Sequence, residues 1–373
     1  MVIHQLVARL DPGDAISNQA LSMHELFRSW GFESRLYAFD MDDYGKRFAE
    51  FDTEYRKFMH REEDLLIYHF GIYCDNHRYF LESKNRKVLI YHNITPPEFY
   101  ETFYPEAERL CRMGRELMPR LKDCDLALGD SDYNRRELVE AGFPEEKTGV
   151  LPINPPLDKL DNVEEDRPFL RRLEDGKTNL LFVGRVVPNK RVEDVIKLFA
   201  CYRYGVNARS RLVIAGIHLA TYQSALLSFT DRLGLLDAVH FLGKVSDSTL
   251  KACYLGAHYY ISMSEHEGFC VPLLEAFHFG VPVLAFAAGA VPETMGGAGI
   301  LFVEKDYPLL AELLGRLDRD RLMRERIVSA QYRRLEEFRT QVFAARLREV
   351  IDRFASPGAA GAATARDSEE RSA

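Results

Sequence analysis

Along roughly the first 150 residues, short apolar runs alternate with amphipathic stretches. "VIHQLVARL" predicts a strand and "SNQALSMHELFRSWG" a helix ended by Gly31. "ESRLYAFD" predicts the next strand, and the polar stretch around "RFAEFDTEYRKFM" a helix. Three further short strands are predicted at "DLLIYHF", "KVLIYHNI" and "CDLALGDS". Such βαβ alternation implies a parallel sheet with helices on both faces. The pattern breaks at "LPINPPLDKLDNVEEDRPFLRRLEDGK", whose four prolines and many charges suit a connection between domains. A second series then begins: "TNLLFVGR", the helix "RVEDVIKLFACYRY", "RSRLVIAG", the helix "ATYQSALLSFTDRLG", "AVHFLG", "STLKACYLG" and "HYYISMS". After "GILF", "YPLLAELLGRLDRDRLMRERIVSAQYRRLEEF" and "TQVFAARLREVIDRFA" read as helices. The expected architecture is α/β: domains at 1–157 and 177–335, a linker at 158–176, a helical segment at 336–355 and a disordered tail at 356–373. Ligands of such sheets sit beyond the carboxyl ends of the strands.

Composition narrows the class. The 373 residues are 46% apolar and 28% charged, as in globular chains. No uncharged apolar run reaches the roughly 18 residues of a membrane span. The opening "MVIHQLVARLDPGDA" lacks a basic region, so no leader is expected. A net charge of −8 argues against a nucleic-acid partner but leaves room for a local basic patch. "RMGRELMPRLK" reads as a partly basic helix, either a solvated face or a peripheral contact with the inner face of a membrane. The six cysteines are scattered without a CxxC pair, which suits free thiols in a reducing cytoplasm.

The stretch "SEHEGFCVPLLEAFHFGVPVLAF" (264–286) holds two glutamates in apolar surroundings. Pro272 suits a first helical turn and Gly280 a helix end. Glu267 then lies before the helix and Glu275 about one turn inside it. Between them the amides of Gly268, Phe269, Cys270 and Val271 point off the helix start, a ready anion site. The spacing offers a diphosphate cradle with Glu275 reading a ribose diol and Glu267 the hydroxyls of an attached sugar. As bare spacing it also fits an ordinary helix start with a carboxylate near the dipole.

Other segments add to it. "LLFVGRVVPNKR" places Arg185 directly after a strand and Lys190 before a helix, two cations able to neutralise a leaving diphosphate. In "LDPGDAISNQA", Gly13 allows close backbone approach, while Asp14, Ser17 and Asn18 can cap a helix or bind hydroxyls. The segment is not GxGxxG, which disfavours a nicotinamide dehydrogenase. "KVLIYHNITPPE" ends a strand with His92, a residue able to orient a sugar hydroxyl or to be structural. The DxD pattern in "FDMDDYG" reads as a loop, and "GGAG" (296–299) as a turn.

Together these residues resemble the retaining glycosyltransferases of family 4, with the GT-B fold of two Rossmann-like domains facing each other across a cleft. "EHEGFCVPLLEA" is similar to that family's E-x7-E element, and "FVGRVVPNKR" to its FVGRLxxxKG strand end, with Arg191 in place of glycine. "RLVIAG", "VHFLGKVSDSTLKACYLGAHYYISMSEHEGF", "GAVPET" and "GDSDYNRRELVEAGFP" fall in the family's order. The resemblance implies a nucleotide diphosphate sugar as donor, held by Gly13, Arg185, Lys190 and the amides near Phe269, with the base against Lys244 and Val245. It implies His92 near the transferred sugar, beside Arg185, Lys190 and Glu267 in the catalytic group. Asp14, Asn18 and Asn93 would meet a glycan or lipid-linked acceptor, and the last helices would cross back to the first domain. No cofactor or metal is expected. The implied reaction is hexosyl transfer, mannosyl or glucosyl, with retention. A nucleotide-sugar 2-epimerase of the same fold and a non-catalytic nucleotide-sugar binder are the alternatives.

Overall fold

The computed structural model describes residues 1–11 and 13–355. The expected tail at 356–373 lies outside the described residues. The first domain is a seven-stranded sheet of β1 (Val2–Leu10), β2 (Glu33–Met41), β3 (Glu50–Phe51), β4 (Leu65–Phe70), β5 (Arg86–Tyr91), β6 (Leu126–Gly129) and β7 (Thr148–Val150). Its order is β3-β2-β1-β4-β5-β6-β7, and every pairing is parallel. The second is a parallel sheet of β8 (Thr178–Val183), β9 (Ser210–Ala215), β10 (Val239–Gly243), β11 (Tyr259–Ser262), β12 (Val283–Phe286) and β13 (Ile300–Phe302), in the order β10-β9-β8-β11-β12-β13.

Alternation along the strands feeds two cores per sheet. In the first domain Tyr68, Leu89 and Tyr91 face a cluster closed by Leu117 of the helix Pro105–Leu117. Ile67, Val88 and Ile90 face the other way, onto Met23 and Phe27 of the helix Ala15–Ser29. That second cluster is completed by Phe343, Leu347, Ile351 and Phe354 of the last helix, Thr340–Ala355, which covers the first domain. The connection forms two short helices, Leu157–Asn162 and Arg167–Leu173, held to the second domain by Lys251, whose Nζ reaches the carbonyls of Asp161 (3.0 Å) and Val163 (2.8 Å).

The helix expected around residues 47–59 does not form. Glu50 and Phe51 instead add an edge strand to β2, and Asp52–Lys57 is a 3-10 turn. Phe51 and Tyr55 imitate a helical face in spacing. Tyr55, however, is buried edge-on against His4 and Tyr37 and bonds Ser83 at 2.8 Å, contacts made from the 3-10 turn. β7 is an additional strand, too short to show a period of its own.

Candidate active site

β8 and β11 lie side by side, but the sheet continues from β8 to β9 and from β11 to β12. Loops leaving the two strands therefore part, and a crevice opens between them. The loop after β8 carries Gly184, Arg185 and Lys190; the loop after β11 carries Glu265 to Cys270. Gly184 and Gly216 both adopt φ +147°, and a Cβ on Gly216 would stand 1.8 Å from the Gly184 carbonyl oxygen. Only glycine permits that approach. β1 and β4 part in the same way in the first sheet, placing exposed Gly13 (φ +87°) at its crevice.

Lys190 ends a 3-10 turn and reaches both Glu267 carboxylate oxygens at 2.6 Å. The pair is sheltered, with Lys190 18% and Glu267 7% exposed. The loops are sewn together by Asn189, whose side chain donates to the His266 carbonyl (3.0 Å) and whose own carbonyl accepts from Glu265 N (2.9 Å). Arg185 is exposed, makes no ion pair among the described residues, and stands close enough to the first domain to act on the Cys111 thiol. Arg191 keeps the left-handed backbone of the glycine it replaces (φ 50°, ψ 47°). Its charge is absorbed by Glu193 (3.1 Å), Asp194 (3.3 Å) and Glu265 (3.3 Å). An L side chain in that conformation costs about 1 kcal/mol. Arg191→Ala, which loses the ion pairs and keeps the strain, is therefore expected to be less stable than Arg191→Gly by about 1 kcal/mol in urea unfolding.

The helix Val271–His278 follows, with Pro272 in its first turn and Cys270 left-handed at its cap (φ 74°). The amides of Gly268, Phe269, Cys270 and Val271 donate to no group among the described residues. Four free N–H groups at a positive dipole end are an arrangement able to receive an anion. The loop is braced from behind: Ala290 N donates to the Glu267 carbonyl (2.9 Å) and Thr294 Oγ1 to that of Phe269 (2.6 Å). Glu275 is buried and accepts from Tyr254 Oη at 2.6 Å. Burial raises its pKa to about 6, the tyrosine hydrogen bond opposing and Asp247 adding to the rise. The folded carboxyl thus holds its proton more tightly than the unfolded one, at 4.5, so stability falls as pH climbs from 4.5 to about 6. Glu275→Gln is expected to remove that fall, a gain of about 2 kcal/mol above pH 6 and little below 4.5, in denaturation at several pH values.

The two domains meet over this loop. The Ser131 hydroxyl donates to the Gly268 carbonyl at 2.8 Å. The Glu293 carboxylate accepts from Asp132 N at 2.8 and 2.9 Å, capping the helix Asp132–Glu140 from the opposite domain. Burial drops the His266 pKa to about 4, so the ring is neutral and Nε2–H donates to Asn93 Oδ1 at 2.5 Å. A Cβ on Gly268 would stand 2.4 Å from Asn93 Cβ.

Arg185, Lys190, Glu267 and the amides of Gly268 to Val271 thus gather at one crevice, with Glu275 behind them. Lys244 and Val245 follow β10, at the same edge of the sheet. Asp14 caps the helix Ala15–Ser29, accepting from Ser17 N at 3.0 Å, and Asn18 is half-buried in its first turn. Asn93 is engaged by Asn134 (3.0 Å) and Glu137 (2.9 Å) as well as His266, so it belongs to the domain interface rather than to open acceptor surface. The His92 side chain is 1% exposed and both ring nitrogens are occupied, by Asp130 (3.0 Å) and His69 (2.9 Å). It therefore offers no free nitrogen to a sugar. Asn189, Tyr254, His266 and Glu293 escaped the sequence reading. All four lie in segments singled out there, "FVGRVVPNKR", "STLKACYLG", "EHEGFCVPLLEA" and "GAVPET", but none was given a role.

A concavity of about 810 Å³ lies at the other end of the second sheet, lined by Thr178, His258, Tyr259, Asp318 and Arg324. Its lining carries both signs, Asp318 and Glu325 against Arg321 and Arg324, and it lies where β8 and β11 begin, away from the carboxyl ends at which such sheets bind ligands. Asp42 of the DxD pattern accepts from Gly45 N (2.9 Å) and Asp43 pairs with Lys46 (2.8 Å), forming a closed turn. Of the cations in "RMGRELMPRLK", Arg112 pairs with Glu108 and Arg115 with Glu137, while exposed Arg120 and Lys122 make no ion pair among the described residues. Among the described residues no helix is long and apolar enough to cross a membrane.

The family model for glycosyl transferases group 1 matches residues 163–334. O-antigen chain mannosyltransferase B of Escherichia coli is 25% identical over 67% of this chain and 66% of its own length. MMP alpha-(1->4)-mannosyltransferase of Mycolicibacterium hassiacum is 35% identical over 32% of this chain and 30% of its own. The chain thus spans about two thirds or less of the length of these relatives. The crystal structure of Anabaena Alr3699/HepE in complex with UDP and glucose superposes with a TM-score of 0.75 at 16% identity, covering 94% of this chain and 99% of that one. The fold is GT-B.

Proposed function

We propose that this chain, whose residues 163–334 belong to the group 1 glycosyltransferases, moves a hexosyl unit from a nucleotide diphosphate sugar to an acceptor hydroxyl with retention of anomeric configuration. The observation that carries the reading is the convergence of Lys190, Arg185 and four unpaired amides on one crevice. A donor diphosphate fits that cradle by charge and by hydrogen-bond count, and Glu275 is one helical turn away for a ribose diol. The UDP held by the structural neighbour supports a nucleotide donor, and the mannosyltransferase names of the relatives support a mannosyl unit. Acceptors are glycans or lipid-linked sugars in this reading.

Both Glu267 oxygens are held by Lys190, which suits a carboxylate that orients sugar hydroxyls better than one poised to attack carbon. We assign a front-face route. The acceptor oxygen bonds to the anomeric carbon as the sugar–phosphate bond breaks, and the departing phosphate oxygen takes the acceptor proton. The cations and amides stabilise the charge left on the diphosphate. No metal is assigned. Loss of activity in EDTA, restored only by divalent ions, would count against this.

Thermal-shift measurements with GDP, UDP, GDP-mannose and UDP-glucose test the reading. At a hundredfold excess over Kd a bound nucleotide stabilises by about 2.7 kcal/mol, a rise of several degrees. A rise with guanosine ligands is expected; a rise with uridine ligands reassigns the base, and no rise with any rejects the donor site. Donor incubated without acceptor is expected to yield no new nucleotide sugar, which separates transfer from epimerisation.

A further inference from the structure

Four adjacent strands of the first sheet each contribute one buried side chain to a single row beneath the crevice: Gln5 from β1, His69 from β4, His92 just past β5 and Asp130 just past β6. Gln5 Oε1 lies 3.0 Å from His69 Nε2, His69 Nδ1 lies 2.9 Å from His92 Nε2, and His92 Nδ1 lies 3.0 Å from Asp130 Oδ2. The Gln5 amide is oriented by its own Nε2, which donates to the Ala20 carbonyl at 3.1 Å. Oε1 must therefore accept from His69.

Each of the three contacts needs one proton between two heavy atoms. Two neutral imidazoles bring only two. With Asp130 ionised and both rings neutral, one contact becomes two facing lone pairs, at a separation of 3.0 Å or less. A third proton completes the row, on Asp130 or as a His92 imidazolium beside the carboxylate. Burial strengthens the hold of Asp130 on a proton, with the His92 hydrogen bond opposing it, and burial keeps the His69 ring neutral. On its far side Asp130 lines a cavity of about 90 Å³ between the domains with Ser131, Glu293, Arg334, Glu337 and Arg346. Asp130 Oδ1 has no protein partner among the described residues.

We infer that this row holds three protons at neutral pH, and that Gln5 and His69 are positioning residues of the donor site. The link to the site is the chain itself. Asn93 follows His92 and bonds His266; Ser131 follows Asp130 and bonds the Gly268 carbonyl. The row thus sets the height of the two residues on which the donor loop rests. The link to transfer depends on the donor site proposed above, whereas the proton count depends on geometry alone.

The imidazole ¹⁵N spectrum of the unliganded protein at pH 7, assigned with His69→Gln and His92→Gln, reads the count without any donor. Protonated Nε2 on both rings is expected, with a bare Nδ1 on His69 and, from the carboxyl ¹³C shift, a proton on Asp130 wherever His92 Nδ1 is bare; a bare Nε2 on either ring, or an ionised Asp130 beside a bare His92 Nδ1, overturns the inference. Gln5→Leu removes the acceptor that forces His69 into its tautomer, so two protons then suffice. The alkaline limb of its kcat/KM profile is expected to fall by on the order of one pH unit, and that of Gln5→Glu to rise. Limbs that stay in place while the ¹⁵N pattern changes would remove the positioning role and leave the donor site standing.

Discussion

Lys190→Ala is expected to lower turnover by about a hundredfold or more and to destabilise the fold. Removal of one preorganised charge-stabilising group commonly costs about 3 kcal/mol of transition-state stabilisation. The stability loss has a different origin. Glu267 is 7% exposed and both of its oxygens are held by Lys190, so truncation leaves a sheltered carboxylate without its partner. Breaking a fully buried pair costs about 3–5 kcal/mol, and the partial exposure of Lys190 brings the expectation to about 1–3 kcal/mol. Adding Glu267→Gln to Lys190→Ala should recover most of that stability and none of the turnover. Urea unfolding and steady-state kinetics on both variants check the two halves separately.

Arg185→Ala is expected to match that kinetic loss, about a hundredfold, with stability unchanged within about 0.5 kcal/mol. The guanidinium is exposed and pairs with no carboxylate among the described residues, so its removal orphans nothing. An exposed, unpaired cation that nonetheless controls turnover is the signature of a group waiting for a ligand's charge. Near-normal kcat in this variant would move the leaving-group clamp elsewhere.

The strands and the crevice were legible in the sequence for a shared reason. Parallel strands buried on both faces read as uninterrupted apolar runs, and the residues just beyond them, Gly184-Arg185 and Glu267-Gly268, break those runs abruptly. The stretch at 47–59 misled because aromatic residues on an edge strand and a 3-10 turn repeat at nearly helical intervals. Partners across the fold were not legible. Lys190 and Glu267 are 77 positions apart, and Tyr254 lies 21 before Glu275. Register alone brings them together. The row from Gln5 to Asp130 is the extreme case, since Gln5, His69 and Asp130 stand out in no local pattern until β1, β4, β5 and β6 are laid side by side. His92 shows the converse: it was singled out, and its neighbours in the fold occupy both of its nitrogens.

The most direct measurement is a crystal structure of the protein soaked with whichever nucleoside diphosphate raises its melting temperature. The two phosphates are expected between the domains, within hydrogen-bonding distance of the amides after Glu267, with Lys190 and Arg185 turned onto them. Phosphates bound instead in the concavity beside Asp318 and Arg324, with the crevice empty, would contradict this expectation.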